Sequence, residues 1–350
     1  MKHVQPSAIS SPSRGGLRWG WVTPDGKLHP HPSLPLEGEG VVLRKLQPLN
    51  FLADKNAICH QHGAALIVAL LATALATLLA TRVLETTDAT LGYVEGRALH
   101  AQAAELTRGG VDYARAILFE DARRSSIDHL GEAWATPLPP VEAEAGRISG
   151  RIEDFQGRWN LNQLRDSTGS INPEALATYR RLLQAISLEP RLANALTEYL
   201  RPPGATAEKP GPTIPPLSDL ATLLEIPGYT ATTVERLRPY VSALPFSAPV
   251  NVNTAPAMVL AAMIPGMDIA EAQRLVTRRQ SLPFRDATEF RGELSSSLSA
   301  AATSVSFGTN SQFFIVRANA SVGRAVVRQE ALLQRQGNGR WPTVVWRHFL

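Results

Sequence analysis

The chain has 350 residues, of which 44% are hydrophobic, and carries 35 Lys/Arg against 31 Asp/Glu. That length holds one large domain or two smaller ones, each with its own core. The positive excess is concentrated before Gly63, where seven bases meet four acids. The remainder is almost neutral and offers no basic face of the kind a nucleic-acid binder needs.

Residues 27–40, KLHPHPSLPLEGEG, are rich in Pro and Gly and show no apolar period. Five of the eight histidines and the single cysteine, Cys59, also precede Gly63. The later His100, His129 and His348 are far apart in sequence. A thiol-free remainder suits an oxidising compartment, where a free thiol is a liability.

From Ala64 to Thr81 no charge occurs, and Arg82 ends the run. About 18 apolar residues just span a hydrocarbon core. Lys55, His60 and His62 flank its start, which predicts a cytoplasmic N-terminal side. Three readings fit: a secretory signal cut near Ala74-Leu75-Ala76, a plain anchor, or a leader cut after Gly63 that leaves the apolar segment on the mature chain. No proline occurs between Gly63 and Pro137. Leu84, Leu91, Val94, Ala98, Ala101, Leu106, Tyr113 and Ile117 recur at helical spacing. One helix is therefore expected from the apolar run to about residue 124, roughly 90 Å at ~1.5 Å per residue. Gly92, Gly96, Gly109 and Gly110 are its weak points.

Residues 136–146, TPLPPVEAEAG, read as a linker. The stretch that follows, RISGRIEDFQGRWNLN, alternates and predicts a hairpin or strand pair. Residues 165–300 carry short helical patterns, many opened by Pro, with a Pro/Gly loop at 201–216. The tail, QFFIVRANASVGRAVVRQEALLQR followed by WPTVVWRHF, predicts two or three strands turning at Gly323 and Asn338-Gly339. The expected fold is α+β: a long N-terminal helix on a small antiparallel sheet, interrupted by a large all-helical insert.

Four stretches together resemble the type II secretion minor pseudopilin K family. They are Gly63 with its apolar run, GRIEDFQGRWNLNQL within 146–164, PVNVNTAPAMVLAAMIPGM at 249–267, and the tail at 313–347. The resemblance implies a pilin-like head with a helical domain inside it. It implies a prepilin peptidase cut between Gly63 and Ala64, with methylation of the new Ala64 amine. Most pilin-like chains carry Glu at the fifth mature position, where here stands Val68. The family's K member also lacks that Glu and sits at the pseudopilus tip. A lone carboxylate in lipid is costly without a partner, so its loss suits a terminal subunit.

The implied role is a tip complex with minor pseudopilins I and J, which starts pseudopilus growth for export of folded proteins. Other pseudopilins, the inner-membrane assembly platform and prepilin peptidase are further implied partners. The implied location is the bacterial inner membrane, single-pass, with the head in the periplasm. The expected division is a leader at 1–63, a transmembrane part at 64–84, helix and first strands at 85–164, the insert at 165–300 and closing strands at 301–350. Two features depart from the family: histidines replace the usual basic residue before the cut, and 63 residues is long for its leader. Residues 1–40 are read as disordered or as an early-start artefact.

Calcium is known in heads of this family, and the acidic loops offer Glu153 and Asp154, or Asp286, Glu289 and Glu293. No EF-hand spacing supports any of them, and solvated carboxylates are the simpler reading. No phosphate loop, Gly-x-Ser-x-Gly, His-Glu-x-x-His or Cys pair points to an enzyme. The rival reading is a membrane-anchored, competence-type DNA binder. LLEIPGYTATTVERL (223–237) and AAMIPGMDIAEAQRLVTRR (261–279) resemble helix-hairpin-helix units, which meet DNA phosphate with helix N-terminal amides. The second Gly of the usual turn is replaced by Thr230 and Asp268, and Asp268 would repel phosphate.

Overall fold

The computed structural model describes residues 62–166, 168–201, 215–337 and 339–350. The chain divides into two units, Met1–Ala74 and Leu75–Leu350. In the first, the described residues are helical, and the side chains from Ala64 on are exposed. Residues 1–61 of the expected leader and the expected Asn338 turn residue lie outside the described residues.

Helix α1 runs His62–Arg124, ending where the periodicity predicts. It is the one candidate membrane span among the described residues. Its buried stripe differs from the expected one. Ala103, Thr107, Val111, Ala114 and Leu118 are buried, spaced three and four apart. Leu84, Leu91, Val94, Ala98, Ala101 and Tyr113 are exposed instead, while Leu106 and Ile117 are half-buried. At Gly110 the sheet's side chains fill the space a larger residue would need: a Cβ there would lie 2.7 Å from the Ile148 side chain and 3.4 Å from Ala318 Cβ.

The expected linker is in fact an edge strand. β1 (Leu138–Ala143) pairs antiparallel with β2 (Gly146–Asp154), and Glu142 stands opposite Arg147. Pro139 and Pro140 are tolerated because the register of this edge strand shifts between Leu138 and Val141, which leaves both prolines out of the pairing. β2 then pairs with β7 (Phe313–Val322), which turns at Gly323 (φ +54°) into β8 (Ala325–Gln334) and on to β9 (Thr343–Phe349). The order is β1-β2-β7-β8-β9, antiparallel throughout. Val111, Ala114, Leu118 and Trp134 pack with Ile152, Phe314, Val316, Ala331 and Leu333 to form the core between helix and sheet.

Asp154 is directly opposite Phe314. The chain therefore leaves the sheet after β2 and returns beside its own point of exit. Between them lie α2 (Pro173–Ala185), α3 (Leu192–Tyr199), α4 (Ala231–Leu237), α5 (Ala257–Met263), α6 (Ile269–Ser281), α7 (Ala287–Gly292) and α8 (Ser296–Ala301). Two short parallel pairs join them: β3 (Trp159–Asn160) with β4 (Val241–Ser242), and β5 (Val250–Asn251) with β6 (Phe307–Gly308). A separate core fills this region, centred on Trp159 stacked on Tyr179, whose hydroxyl meets that of Tyr229 at 2.8 Å.

Candidate functional site

The two asparagine motifs meet where the insert leaves and rejoins the sheet. An Asn side chain presents one acceptor and two donors in an amide plane, so it pairs with a peptide unit as another backbone would. Asn160 Oδ1 accepts from Leu244 N at 3.0 Å, while its Nδ2 donates to Phe246 O at 3.0 Å. Asn162 Oδ1 accepts from Leu217 N at 2.8 Å and its Nδ2 donates to Leu244 O at 2.7 Å. Asn253 clamps Phe284 in both directions, at 2.8 and 2.9 Å. Asn160 and Asn253 are almost fully buried. These residues fix loops rather than face a ligand.

Asn251 and Asp154 form the centre of the junction. Asn251 Nδ2 donates to Asp154 Oδ2 at 2.9 Å. Thr254 Oγ1 and Ser311 Oγ donate to the same oxygen at 2.5 and 2.6 Å, and Gln156 N donates to Oδ1 at 2.8 Å. Burial pushes the Asp154 carboxyl above its ordinary range, against the pull of those donors. Gly157 is required here: a Cβ would stand 2.6 Å from Thr254 Oγ1 and 3.0 Å from the Thr254 carbonyl carbon. The Gly of the first motif thus makes room for the Thr of the second.

The other acidic candidates are spread over separate places. Glu153, next to Asp154 on β2, projects to the opposite face. Burial would raise its carboxyl, but Arg151, Arg317 and Arg158 outweigh this and hold it below its ordinary value. Asp286 caps α7 through Thr288 N and Glu289 N, both at 2.8 Å. Glu289 accepts from Arg285 N at 2.9 Å and from Arg278 at 2.9 Å, which lowers it to about 2. Glu293 shares Arg278 with it. Arginines and helix amides already supply the positive partners that a calcium ion would bring to these acids.

The hairpin turns have the expected backbone, with Gly228 at φ +93° and Gly266 at φ +86°. The replaced glycines have become caps. Thr230 Oγ1 accepts from Thr233 N at 3.2 Å, and Asp268 Oδ1 from Glu271 N at 2.8 Å. One N-terminal amide of each second helix is thus engaged within the chain, and Asp268 sets a carboxylate where a phosphate would sit, which favours packing over DNA binding.

Outside the junction, the exposed apolar face of α1 is the other feature able to act. Val68 is 65% exposed, Leu91 62% and Val94 58%. Gly63, Ala64 and Val68 lie in the first turns of α1. Sequence reasoning passed over Asp128, whose role depends on Arg335, 207 residues away. Its one local signal is a charge between Ile127 and Leu130.

Two family models match the chain, both described as type II secretion system (T2SS) protein K, over residues 157–246 and 250–310. A type II secretion system protein K of Pseudomonas aeruginosa is 30% identical over 313 residues, covering 80% of this chain and 90% of that protein. One from Klebsiella pneumoniae is 30% identical over 305 residues, covering 79% and 94%. One from Pectobacterium carotovorum subsp. carotovorum is 27% identical over 309 residues, covering 79% and 94%. Among solved structures, the GspK-GspI-GspJ complex from the enterotoxigenic Escherichia coli Type 2 Secretion System contains a chain of similar fold. Its TM-score is 0.59 at 20% identity, covering 76% of this chain and 99% of that one.

Proposed function

Because the chain belongs to the type II secretion system protein K family, we propose that it caps the tip of the pseudopilus and starts its assembly. It is a structural component of the secretion machinery, working by association rather than by catalysis. The observation that carries the tip reading is the detour between β2 and β7, two paired neighbours that hold a second folded core between them. A subunit inside a helical shaft has neighbours around its head and above it. A subunit at the end has free space above it, so a head enlarged this way fits there.

The same reading assigns the first turns of α1. Cleavage between Gly63 and Ala64 leaves an N-terminal apolar helix on the mature chain, with the Ala64 amine methylated. Val68 spares the terminal subunit an unpaired carboxylate in lipid. The helix anchors the chain once in the inner membrane and the head stands in the periplasm. Minor pseudopilins I and J are the proposed companions, by likeness to the solved GspK-GspI-GspJ assembly, with the exposed apolar face of α1 as the surface that meets them. Calcium at the five acids singled out in the sequence draws no support from their pairing and is left out of this reading.

Gold labelling of the chain on pseudopili tests the role. Label is expected at one end of each fibre, and fibres should become rare when the chain is absent. Label along the shaft overturns the tip assignment. N-terminal sequencing from membranes, with and without prepilin peptidase, tests the cut: a start at Ala64 is expected, and a start near Thr77 would point to ordinary signal cleavage.

A further inference from the structure

The five-stranded sheet has two outer edges, β1 and β9, and they are not equally closed to another strand. An open edge presents backbone N–H and C=O groups that a further strand can pair with. β1 is blunted by Pro139, Pro140 and its break in register. β9 holds no proline, and from Trp346 to Phe349 it pairs residue for residue with β8. Leu350 N donates inward to Arg328 O at 3.0 Å. Ladder bonds alternate in direction along an antiparallel strand, so Arg347 and Phe349 turn their N–H and C=O groups outward. Val345 is 42% exposed and Phe349 51%, so the open edge is also apolar.

The charge around this edge is of one sign. After Glu330 the chain holds Arg335, Arg340 and Arg347 and no Asp or Glu. Arg335 is paired with Asp121 and Asp128. Arg340 and Arg347, with Arg328 on β8, are exposed and form no ion pair among the described residues. A neutral apolar strand laid here would have to desolvate these cations, whereas an acidic one would pair with them. The sheet face turned away from α1 adds a second preference. Trp346 lines a cleft there with Arg158, Arg238 and Arg317. Its indole N–H, which can only donate, is buried and has no acceptor. The two acids in the cleft wall are already engaged, Glu330 with Arg317 at 2.6 Å and Asp219 with Ala221 N at 3.0 Å. A carboxylate is the group that suits such a set of donors.

We propose that the free edge of β9 takes up an extended acidic segment of another protein as a sixth strand. The segment's backbone pairs with Arg347 and Phe349, and its apolar side chains cover Phe349. Its carboxylates meet the unpaired arginines, one of them reaching the Trp346 N–H. Main-chain pairing supplies the affinity and the alternate side chains supply the choice. Arg347 acts as a filter, turning away neutral and basic strands and admitting acidic ones. The inference rests on β9 and its neighbours and stands or falls independently of the tip role.

The test pans random peptides of about nine residues, displayed on phage, against the full-length chain in detergent, with empty micelles as the control. Selected peptides should alternate apolar residues with Asp or Glu. A fluorescein-labelled consensus peptide then reports affinity by polarisation. Arg347→Pro removes an outward N–H and leaves the β8 pairing in place. It should weaken binding roughly tenfold or more, with the melting temperature and circular dichroism of the wild type. Exchanging the peptide's acids for amides should cost about as much. Trp346→Phe keeps an aromatic ring and loses the N–H, so it should weaken the acidic peptide and leave the amide peptide unchanged. Should Arg347→Pro fail to fold, Arg347→Glu takes its place, since it reverses the charge and keeps the backbone. No enrichment over empty micelles, enriched peptides without acids, or unchanged affinity in the Arg347 variant each overturn the proposal. So does a wild-type dimer in gel filtration that the Arg347 variant dissolves, for then a second copy of this chain occupies the edge.

Discussion

Gly157 and Thr254 are in contact so close that a single added methyl carbon on the glycine would stand 2.6 Å from the threonine hydroxyl. The next nearest atoms are the Thr254 carbonyl carbon and Ala255 N, at 3.0 and 3.2 Å, so backbone must move and not only a flexible side chain. Gly157→Ala is therefore expected to destabilise the chain by roughly 1–3 kcal/mol, the usual cost of overpacking. Thermal unfolding of the two proteins side by side checks it. An alanine variant as stable as the wild type would show that the two motifs do not press on one another.

Next to that contact, Asn251→Ala removes the amide that reaches Asp154, the Asp128 carbonyl at 3.1 Å and Ser311 Oγ at 3.0 Å. It leaves a buried carboxylate short of one donor, at a cost of about 3 kcal/mol. Asn251→Asp should do worse, since it sets a second carboxylate against the first. Denaturant unfolding of both variants measures the order, and an Asp variant more stable than the Ala variant would contradict the charge repulsion.

Parts of this fold are legible in the sequence because their signals are local. The end of α1 at Arg124 follows from sustained periodicity, and the β7–β8 turn from one glycine between two alternating runs. The buried face of α1 is not legible, because Ala103, Thr107 and Ala114 rank low as apolar residues. They are chosen for size, and the sheet that demands small residues comes from distant segments. β1 is hidden by its prolines, which local rules score as breakers until an edge position and a shift of register excuse them. The short α7 and α8 lack two full turns of pattern. The asparagine motifs are visible as words, but their meaning is not: whether Asn251 clamps a loop or faces a ligand depends on Asp154, 97 residues away.

Acid should weaken the insert through Glu289. Its carboxyl is held at about 2, first by the Arg285 N–H and then by the Arg278 and Arg285 side chains. Arg278 on α6 is shared with Glu293, and Asp286 faces the α7 amides. A carboxyl lowered on folding favours the folded state above its unfolded value near 4.5, and that contribution is lost as pH falls toward about 2. Wild type should be more stable than Glu289→Gln at neutral pH, with the gap closing on acidification below about 4.5. A gap that stays constant down to pH 2 would mean the ion pairs with Arg278 and Arg285 contribute nothing.

The two faces of α1 should respond in opposite ways to substitution. Leu118 is fully buried against Phe314 and Leu333, so Leu118→Ala is expected to cost about 2–5 kcal/mol. Val94 is 58% exposed, and Val94→Asp loses little within the isolated chain, where surface changes stay within about 0.5 kcal/mol. Its effect belongs to assembly. If companion helices lie along this face, a carboxylate there must be desolvated without a partner, and co-purification of the minor pseudopilins should fall by an order of magnitude or more. Unfolding curves and co-purification yields from the same preparations separate the two effects. Val94→Asp with an unchanged melting temperature and undiminished companions would remove α1's exposed face from the assembly surface. A loss of companions together with a loss of stability would instead show that Val94 supports the head itself.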